Sequence, residues 1–179
     1  MLFRSVLCSK GEIVILLNDD TEIISPTWIE TLVGLLEDRA VGMVGPMTLL
    51  DDGRIQSAGH GNNPSPHNLG AGEPSDSPGP FGERLITREV SGVTGACLAM
   101  KQVDYLRLGG MSPTFPHSFN DVDLAFKVLG EGLRILWTPV ARIWHFESLS
   151  RDPRVREEEF DNINARWGMH FGEDRYTRT

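Results

Sequence analysis

Three short clusters in this chain carry side chains that can do chemistry. The first is Asn18-Asp19-Asp20-Thr21, at the end of the apolar run Ile13-Val14-Ile15-Leu16-Leu17. The second, far along the chain, is Asn120-Asp121-Val122-Asp123, and the third is His145, within Trp144-His145-Phe146-Glu147-Ser148. Carboxylates at the end of a strand suit a hard divalent cation, which takes oxygen ligands and often carries a substrate's phosphates with it. An ionised Asp can also receive a proton from an attacking hydroxyl, because its reference pKa of about 3.9 lies well below neutral pH. Imidazole suits Mn2+ as well as softer metals, so His145 could complete a site begun by Asp20. Each cluster has a plainer reading. Asn18 to Thr21 can be a polar loop capping a strand, and a lone His at a strand end is usually a satisfied structural residue. Carboxylates at a helix start meet free amides and the positive end of the dipole. On that ground Asp123 reads as a cap residue, and Asp121 differs from it only if a cleft lies in front of it.

The elements that must position these groups follow from periodicity and punctuation. The run from Ile13 to Leu17 reads as a buried strand, preceded by Gly11 and stopped by two carboxylates that could not stay in a core unpaired. In an open α/β sheet the ligand crevice lies outside the carboxyl ends of the strands, which is where Asp19 and Asp20 stand. Ser25 can cap and Pro26 can open a helix over residues 26–38, whose Trp28, Ile29, Leu32, Val33, Leu35 and Leu36 recur at helical spacing. Val41 to Pro46 reads as a short strand ended by Gly45-Pro46, and Asp51-Asp52-Gly53 between apolar runs is a hairpin signal that assigns both carboxylates to a turn. Residues 59–84 are rich in Gly, Pro, Ser and Asn and read as a long flexible loop; His60 and His67, without periodic partners, read there as solvated residues. Thr94 to Met100 is a further buried strand. Gly92 and Gly95 beside it imply close approach, either by a ligand or by another backbone segment. A short helix is expected over 102–108, and Asn120 caps a helix with Val122, Ala125, Phe126 and Leu129 on one face. Leu133 to Trp137 and Ala141 to Trp144 read as two strands separated by Thr138-Pro139. Asp152 caps and Pro153 opens a last helix over 152–168.

Composition bounds the function. The 179 residues, 40% hydrophobic and 23% charged, are ordinary for one globular domain with its own core. Seventeen Lys and Arg against 25 Asp and Glu give a formal charge of -8, the wrong sign for a phosphate-backbone binder, so nucleic acid is not an expected partner. Cys8 and Cys97 lack any CxxC or Cys/His spacing, which argues against a disulfide framework or a structural zinc and for a reducing compartment. No apolar run reaches the roughly 18 residues of a membrane span. The start MLFRSVLCSKGE lacks a secretory signal's apolar segment and cleavage site. The expected location is the cytoplasm, in solution or peripherally at the cytoplasmic face of a membrane.

In combination and order, GEIVILLNDDTEI (11–23), SGVTGACLAMKQVDYLRLGGM (91–111), FNDVDLAFKVLGEGLRI (119–135) and ARIWHFES (141–148) resemble the family 2 glycosyltransferases of the GT-A fold, especially rhamnosyltransferase-like and galactofuranosyltransferase-like members. The resemblance implies an α/β fold, the C-terminal portion of a GT-A mixed-sheet domain with flanking helices. It implies a nucleotide-sugar donor bound through Asn18, Asp19 and Asp20, with Asn18 and Asp20 at the outer positions of the DxD motif and Asp19 facing the donor sugar. Asp20 and His145 would bind Mn2+ or Mg2+, Asp121 would be the catalytic base, and Asn120 and Gly95 would lie on the acceptor side. The acceptor would be a saccharide or lipid-linked saccharide, in cell-surface polysaccharide synthesis. Asn18 in place of Asp removes one charge, so that Asp20, His145 and the donor diphosphate must suffice for the cation. Family members normally begin with a nucleotide-binding half that has no counterpart here, so the expectation is a partial catalytic domain whose sheet has an open edge. The competing expectation is an inactive fragment or interaction module that keeps the C-terminal half of the fold without catalysis.

Overall fold

The computed structural model describes residues 2–146, 155–172, 174 and 176. Its centre is a seven-stranded mixed sheet with helices on both faces, in the order β1 (Ile13–Leu17), β8 (Cys97–Lys101), β3 (Val41–Leu49), β9 (Arg134–His145) and β2 (Thr21–Ile23). Off this path, β4 (Ile55–Ser57) pairs with β3 and β7 (Arg88–Glu89) with β9. β5 (His60–Gly61) and β6 (His67–Asn68) make a separate two-stranded ladder.

The central strands β3, β8 and β9 are buried on both faces, which is why they read as continuous apolar runs. Against one face α2 (Trp28–Leu35) packs Leu32, with Leu36 just beyond it, onto Val44, Cys97, Ala99 and Ile143. Against the other face lie α1 (Leu2–Cys8), α3 (Gln102–Arg107) and α4 (Asn120–Gly130), whose Val6, Tyr105, Leu124, Ala125 and Val128 meet Met43, Leu98, Met100, Ile135 and Trp137. A third apolar cluster, Phe115, Val122, Phe126 and Ile163, joins α4 to α5 (Glu157–Trp167). The expected N-cap at Asp152 and helix start at Pro153 lie outside the described residues.

Several expectations are corrected, each for a reason visible in the backbone. β3 does not end at Gly45-Pro46 but runs on to Leu49, and residues 134–145 form one strand rather than two. The parallel β3–β9 register jumps from Pro46↔Thr138 to Met47↔Arg142, so a proline that cannot donate sits opposite a bulge at Pro139 to Ala141. The bulge also explains why Ser25 does not cap α2. Its Oγ donates to Val140 O and accepts from Arg142 N, both at 3.0 Å, and the helix begins later, at Trp28.

Residues 59–84 are not a bare loop. Besides β5 and β6 they include the 3-10 segment Pro80–Leu85, broken at Phe81 and Gly82, and their first residues are buried. Backbone bonds from Ile55 N to Glu73 O, Ala58 N to Leu69 O and Gly72 N to Ile55 O fold the excursion back onto residues 55–59. Buried Arg84 holds its far side through a bidentate bond to Glu73 at 2.5 and 2.6 Å. An excursion poor in apolar side chains is thus anchored by backbone ladders and one ion pair.

Candidate functional site

The turn after β1 is set by its own backbone. Asn18 N donates to Ala96 O at 2.9 Å, and Thr21 Oγ1 closes the turn by donating to Asn18 O at 2.7 Å. β2 then pairs antiparallel with the end of β9, which places Thr21 opposite His145, and Phe146 N donates to Asp20 O. The strand register therefore brings Asp20 to the imidazole, with Asp20 Oδ1 3.1 Å from His145 Nε2. Asn18 Nδ2 lies 3.4 Å from the same nitrogen, while Asp19 points outward and is exposed.

His145 Nδ1 lies 2.8 Å from Gln56 Oε1. An amide oxygen only accepts, so this bond puts a proton on Nδ1. In the neutral ring the Nε2 lone pair then faces the Asp20 carboxylate. Two acceptors 3.1 Å apart leave a place where a cation could bridge them. A carboxylate oxygen and an imidazole nitrogen held this way fit a divalent cation such as Mn2+. Among the described residues no three His, Cys, Asp or Glu side chains converge, so such an ion would need its remaining ligands from a donor diphosphate or water.

Asp121 stands in the first turn of α4, whose N-cap, Phe119, has the left-handed φ of 61°. The expected cap, Asn120, is instead the first helical residue. Gly95 N donates to Asp121 Oδ2 and Val122 N to Oδ1, both at 2.8 Å. Both carboxylate oxygens are thus fixed by backbone amides at a helix start. The loop before α4 is braced by Glu159 of α5, which is 3% exposed and accepts from His117 N and Ser118 N at 2.9 Å each.

Asp123 does more than the helix capping expected of it. It is fully buried, paired with Lys127 at 2.8 Å and Arg166 at 3.1 Å, and accepts from Trp167 Nε1 at 2.9 Å, so it ties α4 to α5. The close approach expected at Gly92 is made by the protein itself, whereas at Gly95 a Cβ would make only ordinary van der Waals contact. A Cβ on Gly92 would come 2.9 Å from His60 Nδ1, and one on Gly95 3.4 Å from Asn120 Oδ1.

The two halves meet through adjacent residues. Ala96 O takes the Asn18 amide while the neighbouring Gly95 N holds Asp121, at the end of the sheet where β1 finishes and β8 starts. On the other side, residues 55–62 carry Gln56 to His145 and His60 to Asp121. Sequence reasoning missed both. His60 is not solvated but 6% exposed, with Nε2 4.0 Å from Asp121 Oδ2. Burial pushes its pKa down, opposed by the charge of Asp121, so the ring is neutral at pH 7.

No family model matches the sequence. It is 37% identical, over 96% of its length, to the uncharacterized protein y4gI of Sinorhizobium fredii. It is 33% identical, over 80% of its length, to the O-antigen biosynthesis protein RfbC of Myxococcus xanthus. The chain spans only 20% and 12% of those two relatives. Among solved structures, GalNAc-T7 with UDP, GalNAc and Mn2+ matches 91% of this chain and 34% of its own, with a TM-score of 0.64 at 15% identity. The mixed sheet with flanking helices is therefore a GT-A-type fold.

Proposed function

We propose that this chain is the cation-binding and base-bearing part of a glycosyltransferase that moves a sugar from a nucleoside diphosphate donor to a hydroxyl of a saccharide or lipid-linked saccharide, with inversion at the anomeric carbon. The observation that carries the reading is the meeting of Asp20 with His145 at 3.1 Å on one side of Gly95-Ala96 and of Asp121 with Gly95 N on the other. The resemblance to RfbC supports polysaccharide synthesis as the setting, and the GalNAc-T7 structure, bound to UDP and Mn2+, supports a nucleotide-sugar donor.

In this reading Asp20 and His145 hold Mn2+ or Mg2+, with Asn18 and Asp19 on the donor side. When bound, the cation supplies positive charge to the diphosphate leaving group. Asp121, held in place by two amides and apart from the cation, takes the proton of the acceptor hydroxyl as that oxygen attacks. Asn120 and Gly95 flank it on the acceptor side. The tie between α4 and α5 at Asp123, two residues from Asp121, keeps Asp121 aimed.

The test is Asp121→Asn, assayed with UDP- and dTDP-sugars plus Mn2+ against saccharide acceptors. Turnover is expected to fall about 10²- to 10⁴-fold, with the donor KM little changed. Retained turnover removes Asp121 from the base role. No turnover by the parent protein, together with no calorimetric heat from donor and Mn2+, favours a non-catalytic module.

A further inference from the structure

Residues 55–62 are buried throughout and run between the two halves of the candidate site. The strap is fixed at both ends. β4 pairs with β3, while His60 N donates to Gly92 O at 2.7 Å and Ser91 N to His60 O at 3.1 Å. Gln56 projects to His145 Nδ1, which leaves Nε2 for the Asp20 side. Four residues on, His60 projects to Asp121.

The tautomer of His60 follows from its surroundings. Its Nδ1 is buried without a hydrogen-bond partner among the described residues, and a Cβ at Gly92 would already crowd it. An orphaned buried N–H is rarer than an orphaned acceptor, and the ring also makes a side-chain hydrogen bond with Asn68, so the proton belongs on Nε2, the nitrogen that faces Asp121. At 4.0 Å the pair is too far apart for a hydrogen bond. Contacts to a catalytic base are often this loose without substrate and tighten in the complex.

We propose that Gln56 and His60 are positioning residues delivered by one buried strap: Gln56 fixes His145 with Nε2 presented to the cation, and His60 Nε2–H aligns the Asp121 carboxylate toward the acceptor hydroxyl. Neither touches the reacting atoms. The strap makes cation half and base half one rigid unit, so that a displacement of either is felt by the other. This inference rests on the glycosyltransferase reading for its catalytic consequence, but not for its geometry.

The experiment has two arms. Long-range proton–nitrogen NMR at pH 7 on the intact chain is expected to show His145 as the Nδ1–H tautomer and His60 as neutral Nε2–H, with the His60 signal moving in Asp121→Asn. In the same arm, Gln56→Leu is expected to mix the His145 tautomers and to weaken Mn2+ binding, measured by calorimetry, about 10- to 100-fold. In the second arm His60→Phe, which keeps a ring but no donor, is expected to lower kcat on the order of 10²-fold with donor KM unchanged. His60→Gln, which restores an N–H near Nε2, is expected to recover most of that loss. The opposite tautomers, Mn2+ binding unaltered by Gln56→Leu, or full kcat in His60→Phe would overturn the inference. Where His60→Phe fails to fold, His60→Gln and the nitrogen shifts decide. A parent protein that binds Mn2+ with the stated tautomers yet transfers no sugar refutes the glycosyltransferase reading and leaves this geometry standing.

Discussion

Cys97 is buried in β8, and burial pushes its thiol up to about 12, whereas Cys8 on α1 is exposed. The thiolate is the reactive form, so iodoacetamide at pH 8 is expected to alkylate Cys8 and leave Cys97 intact until the fold is opened by denaturant. Mass spectrometry of the native protein checks this, and modification of Cys97 would show that β8 opens readily. Side chains at the ends of apolar runs were legible in the sequence for a physical reason. Asp20 and His145 must leave the core where their strands stop, and Asp121 must sit at a helix start, so pattern alone locates them. Gln56 lies in the short apolar run after the Asp51-Asp52-Gly53 turn, but as its polar member it gave no sign of a site role, and His60 gave no signal at all. The burial of the segment after that run comes from backbone bonds to Gly92 and Leu69, and nothing in the neighbours of His60 marks it as interior.

At the scale of elements, the two helices behind the site are joined by a buried charge. Asp123 lies between Lys127 and Arg166 and also takes the Trp167 indole N–H. Removing one partner of a buried pair leaves charge uncompensated, so Asp123→Ala is expected to cost about 3 kcal/mol, read as a lower urea midpoint. A change under about 0.5 kcal/mol, the scale of an ordinary surface substitution, would mean that the pair is solvated. Asp123 illustrates what local rules miss. An acidic residue in a first turn is favoured by the dipole whatever lies beside it, so the sequence pointed to a cap while α5 supplied the partners. The same competition moved Ser25 from helix cap to bulge ligand. Its hydroxyl satisfies backbone groups on β9, a strand far away in sequence, where the register skips residues opposite Pro46.

At the scale of the whole molecule, the sheet begins with β1, the outermost strand in its order, which among the described residues pairs only with β8 and whose Leu17 is 44% exposed. The acidic turn thus follows the end strand in the described order. Fold class was legible because each buried strand announces itself as a continuous apolar run. The mixed strand order was not, because pairing between β1 and β8 or between β3 and β9 joins segments many residues apart and leaves no local trace. What the fold accomplishes is to bring one acidic turn, one imidazole and one helix-start carboxylate to the same end of that sheet. The most direct test is anomalous diffraction at the manganese edge from crystals of this chain soaked with Mn2+ and a nucleoside diphosphate. The account predicts a peak within coordination distance of Asp20 and His145 Nε2, on the side of Gly95-Ala96 opposite Asp121, and its loss in Asp20→Ala. A peak elsewhere, or none at saturating Mn2+, would contradict it.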